Sequence, residues 1–229
     1  MAQLSLEEIS RRLESDSSKD RMIALANLRN VPAAEAAPLV RKVIDDKNLQ
    51  IRSMAVFALG LKPDEQAFET LVTLMESDAD YGIRADAAGA LGYLGDERAF
   101  EPLVHAFYED VDWLVRFSAA VSLGNLKDPR AHDALMKALD SNMEVMQQAA
   151  IAAIGEIGDV EAVGKILTFA QSENWLVRQR LAEALGNLPS DKTESALRFL
   201  AKDPHPHVKT AAQISLERLG NVTSSEQNP

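Results

Sequence analysis

The sequence predicts an all-α solenoid of about seven helical hairpins, and three observations lead there. Ten-residue segments recur at a spacing of 31 or 32 residues, each segment sets its apolar residues on one helical face, and amphipathic stretches lie between the copies. The aligned segments are IRSMAVFALG, IRADAAGALG, VRFSAAVSLG, MQQAAIAAIG, VRQRLAEALG and VKTAAQISLE. Their second residues, used here as anchors, are Arg52, Arg84, Arg116, Gln147, Arg178 and Lys209. Stepping back one period from Arg52 reaches Arg21 in DRMIALANLR, which completes seven copies.

Within each copy the apolar or small residues fall three, four and seven places after the anchor, as in Ala87, Ala88 and Leu91, or Ala119, Ala120 and Leu123. Such spacing builds one buried face of a helix. Gly60, Gly92, Gly124, Gly155 and Gly186 recur eight places after their anchors, where a residue without a side chain permits close helix contact or helps end the helix. A second helix then opens, with Asp64, Asp96, Asp128 before Pro129, and Asp159 as N-cap candidates. Its apolar stripe reads Ala67, Phe68, Leu71, Val72 and Met75 in one copy, and Ala99, Phe100, Leu103, Val104 and Phe107 in the next. A lone hairpin cannot cover its own apolar face, so the units must stack. The expectation is one solenoid over residues 1–220, a right-handed superhelix whose concave binding face is lined by the anchor helices, followed by a disordered C-terminal tail over 221–229.

Composition narrows the function classes. Hydrophobic residues make up 46% of 229, enough for a sizeable core, and the excess of acids over bases, 35 to 24, gives a formal net charge of −11. Such a charge disfavours a phosphate backbone or an anionic membrane, so neither nucleic acid nor membrane insertion is expected. The N-terminus lacks the basic start and apolar core of a signal peptide, which makes the cytoplasm the expected location. With no cysteine in the chain, disulfides, thiolate metal sites and a cysteine nucleophile are excluded. The four histidines show no metal-ligand spacing, and no metal is expected; no catalytic set can be named, and enzymatic activity stays open.

Several residues exceed what the repeat needs. Asp80, Asp112 and Asn174 stand four places before their anchors, suited to cap the anchor helices, and Tyr81, Trp113 and Trp175 follow them directly. Packing between neighbouring units is the favoured role for these aromatics, and a stacking platform for a planar ligand is the other. The anchor arginines suit a ladder of pairs with neighbouring carboxylates, which is favoured over anion binding, and Gln147 interrupts that ladder. Positions two, five and nine after the anchor should face solvent. There the second to fourth copies carry Met54, Phe57, Tyr93 and Val121, an apolar strip of the kind that marks a contact surface, whereas the sixth carries Arg180, Glu183 and Asn187.

The pattern EDVDWLVRFS, SENWLVRQRLAEAL and DERAFEPLV resembles the HEAT-repeat phycobilin-lyase family over residues about 17 to 219, most closely its phycobilisome-degradation branch. The resemblance implies phycobiliprotein partners, phycocyanin or allophycocyanin, and assistance in detaching their bilin chromophore. Related members attach bilin instead, and a pure adaptor that docks a client protein is the reading from a different class. No cofactor is required on this resemblance, and the bilin phycocyanobilin is the ligand it implies. On that footing Tyr81, Trp113 and Trp175 would stack on the tetrapyrrole, Arg84 and Arg116 would take its carboxylates, and Asp80 or Asp112 its pyrrole N–H groups. Two other users of this repeat fit less well: no histidine here is followed by Glu, as iron-binding hydroxylases of this fold require, and the acidic charge is wrong for DNA glycosylases.

Overall fold

A computed structural model describes residues 4–225, and all the regular structure among them is helical. The chain divides into two compact units, Met1–Ser122 and Leu123–Pro229. The first unit holds α1 (Leu6–Leu13), α2 (Ser18–Asn27), α3 (Ala33–Arg41), α4 (Leu49–Leu61), α5 (Ala67–Ser77), α6 (Tyr81–Leu94), α7 (Phe100–Glu109) and the greater part of α8 (Trp113–Asn125). The second holds α9 (His132–Leu139), α10 (Glu144–Ile157), α11 (Val163–Ile166), α12 (Trp175–Leu185), α13 (Thr193–Leu200) and α14 (Pro206–Ser225). Each anchor falls in an even-numbered helix, so the 31-to-32-residue period is the period of a helical hairpin. The helix α14 runs through Ser225, past the 220 boundary, and the rest of the expected tail lies outside the described residues.

Side-chain caps set the starts of the anchor helices. The Asp80 carboxylate accepts from the N–H groups of Gly82 and Ile83 at 2.9 and 3.2 Å, Asp112 from Leu114 at 2.8 Å, and Asn174 from Leu176 at 2.9 Å. On the outer helices the expected aspartates do cap, but at one remove. Asp96, Asp128 and Asp159 each accept from the N–H two residues on, opening a short 3-10 turn that leads into α7, α9 and α11. The tighter turn forms because the Asx bond to the second residue favours an i to i+3 closure before the α-helical pattern takes over.

The buried faces follow the repeat. Ala87, Ala88 and Leu91 of α6 and Ala119 and Ala120 of α8 are fully buried, as are Ala55, Val56 and Leu59 of α4. The recurrent glycines bring neighbouring anchor helices together. A Cβ placed on Gly60 would stand 2.8 Å from Cβ of Ala90, and one on Gly92 would stand 2.5 Å from Oγ of Ser122. In the second unit Gly155 meets Cα of Ala184 at 2.7 Å in the same register. In every case the partner stands six places after its own anchor, so glycine faces a small residue and the helix backbones touch. The buried Ser122 hydroxyl that lies in this contact donates to the Ala88 carbonyl at 2.8 Å, which leaves no polar atom of it unsatisfied.

Candidate functional site

The close approach of α4 and α6 places a pair of aromatic rings on the surface of the first unit. Phe57 and Tyr93 meet edge to face, with ring centroids 5.6 Å apart and an interplanar angle of 88°, yet they remain 47% and 59% exposed. Both sit at register positions five and nine after an anchor, opposite the buried three, four and seven face. Met54, half-buried, and Leu61, exposed, extend the same side of α4, and Val121 adds an exposed apolar group on α8. The strip expected from Met54, Phe57, Tyr93 and Val121 is therefore solvent-facing. Leu61 belongs with it and was legible at the position nine places after Arg52.

One polar residue interrupts this strip, and sequence reasoning passed over it. Asp86 lies on α6 at the register position of Met54, and burial pushes its carboxyl above the usual carboxylate range, opposed by a hydrogen bond with Ser53 and reinforced by the charge of Asp80. One turn on, a Cβ at Gly89 would meet nothing within 4 Å, so the surface beside Asp86 is open. A carboxyl with a raised folded-state pKa opposes folding once pH climbs past its ordinary value. Asp86→Asn is accordingly expected to raise the urea midpoint at pH 7 and leave it nearly unchanged at pH 3, where the wild-type carboxyl is already neutral.

The aromatics at the helix starts are partly exposed, and one of them packs against the next hairpin. Tyr81, Trp113 and Trp175 are 52%, 44% and 38% exposed. Trp113 leans on Phe117 of its own helix with centroids 6.4 Å apart. In the second unit Trp175 stacks on His205 at 4.0 Å and 15°, and His207 stands 5.6 Å from the same indole. That cluster contains two of the four histidines, and no group of three or more metal-ligating side chains occurs among the described residues.

Four of the seven anchors form a ladder of ion pairs. Arg21 reaches Asp46 at 2.5 Å, Arg52 reaches Asp78 at 2.8 Å, Arg84 reaches Asp110 at 2.8 and 3.0 Å, and Arg178 reaches Asp203 at 2.7 and 3.0 Å. Each aspartate also accepts from a backbone N–H two residues on, so one carboxylate fixes both the ladder and the next loop. The guanidinium beside each holds Asp46, Asp110 and Asp203 below the usual carboxylate range. Of the residues proposed for ligand carboxylates, Arg84 is thus taken up by Asp110, while Arg116 donates, among the described residues, only to the Asp110 and Val111 carbonyls. Asp80 and Asp112, proposed for pyrrole N–H groups, spend an oxygen on their helix caps. The second unit presents charge where the first presents apolar surface: Arg180 pairs with Glu183 at 2.7 Å, and Arg218 donates to Asn187 at 2.6 Å beside them.

Comparison with solved structures gives matches over almost the whole length. The complex of the phycocyanin lyase subunits CpcE and CpcF from a Nostoc species matches with a TM-score of 0.60 at 24% identity, covering 93% of this chain and 76% of that one. The YibA protein of Escherichia coli matches at 0.59 and 19% identity over 94% and 93% of the two chains. An engineered protein matches at 0.51 and 21% identity over 94% and 96%. At these identities the likeness is one of fold. No curated protein sequence matches. The HEAT-repeat profile matches residues 6–88, 45–124, 68–155, 109–168 and 165–227, and with nearly every residue so covered the chain belongs to the HEAT-repeat family.

Proposed function

We propose that this chain binds phycobiliproteins through the apolar strip of its first unit and promotes detachment of their bilin chromophore during phycobilisome degradation. The observation that carries the reading is the exposed Phe57–Tyr93 pair, flanked by Met54, Leu61 and Val121 on helices of fixed spacing. An apolar surface with two aromatics at its centre is what a protein client with a complementary patch would cover. The choice of client rests on the resemblance of the repeats to phycobilin-lyase sequences and on the likeness in fold to a phycocyanin lyase complex. Because the chain has no cysteine, it cannot hold bilin through a thioether of its own, and any transfer must use a cysteine of the client or another acceptor. A cytoplasmic location follows from the same proposal.

A second reading, an adaptor that docks its client without chemistry, draws on the same strip. One experiment separates them: mixing the purified chain with intact phycocyanin, following the visible spectrum, and resolving the mixture by size exclusion. Loss of protein-bound bilin colour supports detachment, co-elution without spectral change supports the adaptor, and neither effect rejects the client. Phe57→Asp is expected to weaken client binding about a hundredfold, since truncating or charging a central aromatic commonly costs this much. Val160→Asp, at an exposed apolar residue of the second unit, is the matched control and is expected to bind as wild type.

A further inference from the structure

We infer that Arg116, with Trp113 beside it, is a receptor for a carboxylate that the chain itself does not supply. The inference rests on the proposed client or pigment only for the source of that carboxylate, not for the receptor.

The argument starts from the register of the ladder. Three anchor arginines, Arg21, Arg84 and Arg178, divide the guanidinium in two, whereas Arg52 meets both oxygens of Asp78 through Nη2 alone. Nη1 donates to carbonyls of the loop before its own helix: Arg21 to Ser15 and Asp16, Arg84 to Asp78, Arg178 to Ser172 and Glu173. The other edge, Nε with Nη2, meets both oxygens of the aspartate 25 or 26 residues on, as Arg21 does with Asp46, Arg84 with Asp110 and Arg178 with Asp203. Arg116 makes the first half of this pattern, with Nη1 donating to Asp110 and Val111 carbonyls at 2.7 and 3.1 Å. It has no ion pair among the described residues, and the Asp110 carboxylate is held by Arg84.

The sequence explains the difference. Aligned with Asp46, Asp78, Asp110 and Asp203, the two intervening copies carry Ser141 and Ser172. The anchor that would have paired with position 172 is Gln147, which has no cationic edge to satisfy, and its amide keeps only the loop bond, to the Ser141 carbonyl at 2.7 Å. At that rung donor and acceptor are both replaced. At the Arg116 rung the acceptor is gone and the arginine stays, although Gln147 demonstrates that glutamine suffices to hold the loop. The fold therefore does not require a guanidinium at 116.

The edge left over has a definite chemistry. Two parallel N–H donors on a planar cation match the two oxygens of a carboxylate. Three residues earlier on the same helix, Trp113 offers an exposed indole, and Val111, 89% exposed, stands in the loop before it. A planar acid, its carboxylate on Arg116 and its ring system against Trp113, is the ligand class that uses all of these groups. A propionate of a tetrapyrrole and a side-chain carboxylate of a client protein share the chemistry that Arg116 reads.

The test uses the full chain and its Arg116→Gln variant, a substitution that the Gln147 loop bond makes compatible with the fold. NMR of the arginine Nε–H groups during titration with naphthoate is expected to show a saturable shift of one resonance that naphthol does not cause and that R116Q lacks. Absence of a saturable shift, or the same response in R116Q, overturns the inference. Biliverdin, its dimethyl ester and intact phycocyanin then separate the sources. A loss of about tenfold to a hundredfold in biliverdin affinity on R116Q, reproduced by esterification in wild type, assigns the receptor to the pigment's propionate. A loss confined to phycocyanin assigns it to the client's carboxylate. If naphthoate shifts the resonance while wild type binds neither biliverdin nor phycocyanin, the receptor stands and the client proposed above falls.

Discussion

Gly92→Ala is expected to destabilise the chain by about 2–3 kcal/mol, while Gly89→Ala, one turn earlier on the same helix, is expected to stabilise it by about 0.5–1 kcal/mol. Both substitutions replace glycine by the best helix former, so propensity favours both. The surroundings decide the sign. A Cβ at Gly92 would stand 2.5, 2.7 and 2.9 Å from Oγ, Cβ and Cα of Ser122, closer than real side-chain contacts allow. Relief requires Ser122 to move away from α6, which disturbs the buried surroundings of Leu91 and Ala119 and strains the Ser122 bond to Ala88. At Gly89 the same methyl meets nothing within 4 Å. Equilibrium urea unfolding followed by circular dichroism measures both variants. Shifts of opposite sign are the expected result, and a neutral Gly92→Ala would mean that the anchor helices are not held at contact distance by this register.

That contrast also shows what the sequence made legible. The recurrence of glycine eight places after each anchor marked a close approach, because only a helix contact repeats at the period of the hairpin. The other half of the contact, small residues six places after the next anchor, was equally present in Ala90, Ser122, Ala153, Ala184 and Ser215. It was hidden by the abundance of alanine, which fits any packed helix. Phe57 and Tyr93 could be placed on the solvent side by counting, but their edge-to-face contact joins residues 36 positions apart on helices whose offset no single copy encodes. Asp86 went unnoticed for a related reason: a carboxylate on an outward register position looks ordinary until the burial around it is known. Packing between neighbouring units, expected from helical pitch, describes Trp175, which stacks on His205 of the next hairpin, but Trp113 leans on Phe117 of its own helix and stays 44% exposed. Pitch reports which way a side chain points and not whether a neighbour reaches that far.

The ladder supports the second large prediction, and the comparison of its rungs separates architecture from function. Arg84→Gln is expected to cost about 2–3 kcal/mol at pH 7, because it leaves Asp110 without the two charge-assisted bonds at 2.8 and 3.0 Å while that carboxylate stays mostly shielded from water. Part of the loss is tempered by the bond Asp110 retains from the Asp112 N–H at 2.8 Å. The pH dependence fixes the cause. Arg84 lowers the folded-state pKa of Asp110, so the stabilisation is complete above the ordinary carboxylate value, about 3.9, and is lost as pH falls through the lower folded value. The gap between wild type and Arg84→Gln should therefore be constant from pH 7 to about pH 5 and should narrow below about pH 4. Asp110→Asn probes the same rung from the other side, and the double variant should cost less than the sum of the singles, since each removes the same pair. Arg116→Gln, by contrast, is expected to leave the unfolding free energy within about 0.5 kcal/mol of wild type, because no carboxylate in the first unit closes on its outer edge. If Arg116→Gln proved as costly as Arg84→Gln, the guanidinium would be structural after all; if it is silent in stability and audible in ligand binding, the arginine is there for something outside the chain.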